Sequence, residues 1–138
     1  MTITLARGAA AFALALVPLS LPAATHATTA AQSAQRLVLT NSDNGLSVSA
    51  SPGDDVEIRL TGYTADGLTW TWSTPASSDS TVLRMTAGRT APNGDASATF
   101  QAEGDGTATI TAQGHCRADT DRACPLVITP WKVTVDVK

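Results

Sequence analysis

The chain has 138 residues, with nine Lys or Arg against twelve Asp or Glu, a net charge of −3, and an aromatic content of only 4%. That mild acidity excludes the basic stripe of a nucleic-acid binder, and no Lys/Arg cluster is present to hold an anionic membrane surface. So few aromatic residues make the tryptophans at 70, 72 and 131, with Phe100, the large members of any core.

The opening stretch, MTITLARGAAAFALALVPLSLPAATHA, has the layout of a secretory signal peptide. Arg7 precedes an apolar run from Ala9 to Val17, and small residues occupy the −3 and −1 positions of a cleavage site after Ala27. The run is shorter than the roughly 20 residues of a bilayer-spanning helix, so export without a membrane anchor is expected. Cleavage leaves 111 residues, enough for one domain, with eight cations and twelve acids. Residues 28–35, TTAAQSAQ, show no apolar period and read as a disordered lead-in.

From residue 36 to 138 the pattern is period-two alternation cut by turn residues. RLVLT and LSVSA are weak runs; in DVEIRL, Val56, Ile58 and Leu60 share one face. In LTWTWS, Leu68, Trp70 and Trp72 oppose two threonines, and packing rather than ligand stacking is the reading for at least two of the three tryptophans. STVLRM and ASATFQA follow, and in TATITA the residues Ala108, Ile110 and Ala112 oppose threonines. WKVTVDVK sets Trp131, Val133, Val135 and Val137 on one face. The gaps hold SDNG, PGDD, ADG, PNGD and EGDG, whose residues tolerate positive φ. Seven or eight short strands, each with one wet face, predict an all-β, immunoglobulin-like antiparallel β-sandwich.

Between the last two strands lies GHCRADTDRACP, with Cys116, Cys124 and His115. Zinc would need tighter ligand pairs and reduced thiols, and a catalytic cysteine would need a base with better reach than its sequence neighbour. In an exported chain the pair reads as a disulfide closing nine residues, a staple of about 2.5 kcal/mol in chain-entropy terms. Asn41, Asp43, Asn44, Asp54 and Asp55 lack the alternating register of a calcium loop and read as turn formers. No G-x-S-x-G elbow, P-loop or dinucleotide fingerprint occurs. The reading is a non-enzyme with no cofactor and no metal.

The order of GDDVEIRL, Gly67-Leu68-Thr69-Trp70, ATFQAEGDGTATITA and a valine-rich last strand resembles the chagasin-like inhibitors of papain-type cysteine proteases, over residues 36–138. In that family an immunoglobulin-like sandwich carries three loops at one end, which plug the protease cleft without being cut. The first loop, N-P-T-T-G-Y in the family, falls on YTADGL; the second falls on TAPNGDASATF; the third, R-P-W in the family, falls on the cysteine-closed stretch. The resemblance therefore implies binding segments at 62–68, 90–95 and 115–124. Their candidate residues are Tyr63, Asp66, Gly67 and Leu68, then Asn93 and Gly94, then His115, Arg117, Asp119 and Arg122. The expected partner is a papain-type protease. The alternative is an extracellular binding or structural module that uses the same loops on another protein or a glycan.

Overall fold

A computed structural model describes residues 15, 18, 20–23, 33–118 and 122–138. The leader predicted over 1–27 lies mostly outside the described residues, as do residues 28–32 of the lead-in and Asp119. Contacts divide the chain into Met1–Ala31 and Gln32–Lys138, and the fold lies in the second unit.

Its strands are β1 (Arg36–Thr40), β2 (Ser47–Ala50), β3 (Asp55–Leu60), β4 (Tyr63–Ala65), β5 (Leu68–Trp72), β6 (Ala76–Ser77), β7 (Leu83–Thr90), β8 (Ala96–Ala102), β9 (Gly106–Arg117) and β10 (Thr129–Val137). One sheet is ordered β1-β3-β8-β7, and the other β2-β10-β9-β5-β4 with β6 beside β9. The strands are more numerous than the seven or eight expected because β4 and β6, of three and two residues, are too short to show a period.

The two sheets face each other as a sandwich, and the alternation explains why. Val56, Ile58 and Leu60 on β3, and Ala98 and Phe100 on β8, are buried against Ile110 on β9 and Trp131, Val133 and Val135 on β10. Each large apolar side chain removed from water in this way contributes about 1.5–3 kcal/mol. Two buried tryptophans also satisfy their indole N–H groups: Trp131 Nε1 donates to Thr40 O at 3.1 Å, and Trp72 Nε1 to Thr61 O at 2.9 Å. Trp70 is only half-buried, so two of the three tryptophans are core.

Most pairings are antiparallel, but β1 runs parallel to β3 and β2 parallel to β10. The chain leaves the first sheet at β1, makes a 3₁₀ turn at Asn41–Asp43, and joins the second sheet as β2. Such a switch of sheet at an edge is one way a sandwich makes a corner. The turn formers read in the sequence hold it. Asp43 accepts the Thr40 N–H at 2.7 Å, and Asn44 Oδ1 accepts Lys132 N–H at 2.9 Å. The strand expected at STVLRM runs instead over Leu83–Thr90. Asp79 Oδ1 accepts the N–H of Thr81 at 2.9 Å, which makes a turn of the run's beginning, while β8 offers partners as far as Ala96↔Thr90.

Candidate functional site

Three segments that are far apart in sequence meet where β3 and β9 end and β5 begins. The first is the β4–β5 hairpin. Asp66 and Gly67 form its tip with φ of 53° and 74°, the left-handed pair that a two-residue hairpin turn needs. Across the hairpin Tyr63 pairs with Trp70, and their rings stack with centroids 6.1 Å apart and planes 12° apart. Just before it, Asn41 holds the Thr61 backbone from both sides: Nδ2 donates to Thr61 O at 3.0 Å and Oδ1 accepts Thr61 N–H at 2.8 Å.

The second segment, residues 91–95, connects β7 to β8. Gly94 sits at φ 94° and its carbonyl accepts the Trp72 N–H at 2.9 Å. Asp95 reaches the first segment, its Oδ1 accepting the Gly62 N–H at 2.8 Å, while Asn93 Nδ2 donates to Oδ2 at 3.0 Å. Gly62 lies so close that a Cβ there would stand 2.8 Å from Asn93 O and 2.9 Å from Gly94 C. These two loops are in contact backbone to backbone.

The third segment begins on a strand. His115, Cys116 and Arg117, expected as loop residues, are the last three residues of β9. The reason is that β5 extends the ladder: Thr71 pairs with His115, Trp70 with Cys116 and Thr69 with Arg117. Cys116 and Cys124 form a disulfide with Cα atoms 5.6 Å apart, as read from the sequence. Arg117 Nη2 donates to Pro92 O at 2.8 Å, tying the third segment to the second. Arg122 Nη1 donates to Asp66 O at 3.1 Å, tying the third to the first, and a Cβ at Gly67 would meet that guanidinium.

The candidates Tyr63, Asp66, Gly67, Leu68, Asn93, Gly94, Arg117 and Arg122 thus lie at one end. His115 joins them through its carbonyl, which accepts Thr71 Oγ1 at 3.4 Å.

Sequence reasoning missed several participants. Inside the predicted segments but not among the candidate residues, Gly62 and Pro92 act through backbone groups and Asp95 through its carboxylate. More telling are Leu126, Val127 and Ile128, which follow the staple and are 105%, 58% and 51% exposed. Their signal was legible: an unalternating apolar run, PLVI, between Pro125 and Pro130. These three consecutive exposed apolar side chains lie on a segment held by the disulfide on one side and by β10 on the other.

No family model matches the sequence, and no curated protein sequence matches it. Solved structures do match. The cysteine protease inhibitor EhICP2 from Entamoeba histolytica aligns over 78% of this chain and all of its own, at 15% identity and a TM-score of 0.52. The chain shares the β-sandwich of a cysteine protease inhibitor. Two further solved structures are similar to it more loosely. Amebosin aligns over 75% of this chain and 98% of its own at 18% identity and TM-score 0.45. PbICP-C, solved in complex with falcipain-2, aligns over 76% and 91% at 13% identity and TM-score 0.42.

Proposed function

We propose that this chain is an exported, non-enzymatic inhibitor of papain-type cysteine proteases that works by occluding the active-site cleft with its three-segment end. The observation that carries the reading is the convergence of residues 62–68, 91–95, 115–118 and 122–128, tied by Gly62–Asp95, Arg117–Pro92 and Arg122–Asp66. The fold held in common with a cysteine protease inhibitor supports it. Ordering these loops before association removes much of the entropy that a floppy loop would lose in the complex. In this reading Leu126–Ile128 and the Tyr63–Trp70 stack supply the apolar contact, while the arginines, already engaged with backbone carbonyls, hold the frame.

Titration of the purified protein against papain and a cathepsin-type protease tests this. Stoichiometric loss of protease activity is expected. Leu126→Asp should weaken inhibition at least about tenfold while shifting stability by less than about 0.5 kcal/mol, since an exposed side chain loses nothing on unfolding. No inhibition by protein whose circular dichroism shows an intact sandwich would remove the inhibitor reading, and the same end would then belong to a module that binds another extracellular protein or a glycan.

A further inference from the structure

We propose that the outward face of the first sheet holds a binding groove for a small acidic, hydroxylated ligand of the sugar-acid class, gripped between Arg59 and Arg89. The inference does not rest on the inhibitor reading, although the cavity shares Ala91, Pro92 and Asp95 with the second segment. Arg59 on β3 pairs in register with Ser97 on β8, and Ser97 pairs with Arg89 on β7. Two strand spacings place the two arginine Cα atoms about 10 Å apart. Both side chains are long enough for their guanidinium groups to meet over the serine between them.

Each arginine is positioned by its Nε. Arg89 Nε donates to Ser97 Oγ at 3.4 Å, and Arg59 Nε donates to Glu57 Oε1 at 2.7 Å. The Nη groups of both have no partner among the described residues, and that is the edge with which arginine grips an oxyanion. The nearby carboxylates are already engaged. Glu57 also meets Arg36 Nη1 at 3.2 Å, and Asp95 accepts from Gly62 and Asn93. The same face carries Arg59 and Arg89 with Glu57 and Asp95, two groups of each sign, so what it offers an oxyanion is the two free guanidinium edges and not an excess of charge.

A cavity of about 580 Å³ opens at this row, with Thr61, Thr90 and Ser97 contributing hydroxyls and Pro92 at its rim. That volume is within the range of small-molecule sites and more than a bare inorganic anion fills. An anion carried on a compact, hydroxyl-bearing body satisfies the free guanidinium edges, the hydroxyls and the volume together.

The test is NMR of the arginine Nε–Hε signals in the full chain, with glucuronate, glucose and inorganic sulfate as probes. Saturable shifts at Arg59 and Arg89 are expected with glucuronate in the millimolar range, weaker binding with sulfate, and none with glucose. Arg59→Gln and Arg89→Gln should each weaken glucuronate about tenfold. Arg84→Gln, on the same face beside Glu103, should bind as the parent does. Absence of saturable shifts with glucuronate overturns the proposal. Sulfate binding as tightly as glucuronate overturns the sugar-acid class, and equal loss in Arg84→Gln overturns the site.

Discussion

The two ends of the sandwich differ in the reach of the ties that close them. At one end the turns are closed by aspartates. Asp54 accepts the N–H groups of Ser51 and Gln35, both at 2.9 Å, and Asp79 accepts Thr81 Oγ1 at 2.6 Å as well as its N–H. At the other end arginines donate to carbonyls on segments remote in sequence, Arg117 to Pro92 and Arg122 to Asp66, and a disulfide holds the segment that carries Arg122. The aspartate end is organised largely by neighbours in sequence. The arginine end exists only when three segments are assembled. An end built from long-range ties on a rigid sandwich can vary its sequence without disturbing the core, which suits a surface that must match a partner.

The contrast can be broken at four strengths. Trp131→Ala, in the core common to both ends, should cost about 3–5 kcal/mol in urea unfolding, through the cavity left and the Thr40 carbonyl deprived of its donor. Both ends should then lose amide protection together; loss confined to one end would mean that the ends do not share a core. Reduction of Cys116–Cys124 should cost about 2–3 kcal/mol, and hydrogen exchange should rise in 115–128 while residues 51–55 and 79–82 stay protected.

Gly62→Ala should cost about 1–3 kcal/mol, because the added methyl meets backbone rather than a side chain that can swing aside. Its damage should appear at Asn93 and Gly94, and a neutral result would dissolve the contact between the first two loops.

The smallest effect is pH. Hydrogen bonds from the Gln35 and Ser51 amides hold the Asp54 carboxyl below its ordinary range, and the Thr81 hydroxyl and amide do the same for Asp79. A carboxyl depressed in the folded state stabilises above the unfolded value, about pH 4, and that stability is lost as the pH falls through the folded value. Acidification should therefore raise exchange first at the Ser51 and Thr81 amides, and Asp54→Asn with Asp79→Asn should abolish that acid sensitivity. Equal early exchange at Gly62 and Arg117 would erase the distinction between the ends.

Much of this was legible in the residues. DVEIRL, TATITA and WKVTVDVK all put the predicted faces inward, since a half-buried strand leaves a two-residue period whatever its neighbours. The staple was legible because two cysteines in a chain read as exported have one simple fate. The parallel edges were not, because alternation records which face is dry and is silent on the direction of the partner strand. The extension of β9 through His115–Arg117 was hidden for a similar reason: its partner, β5, lies more than 40 residues earlier.

By itself, then, the sequence determined the strands, their dry faces, the turn residues and the disulfide, because each rests on chemistry within a few neighbours or on a pair of like residues. Only the tertiary structure decided which loops share an end, that Arg117 and Arg122 would donate to the carbonyls of Pro92 and Asp66, and that Arg59 and Arg89 would flank one serine. Those are matters of register between distant strands, and no local period carries them.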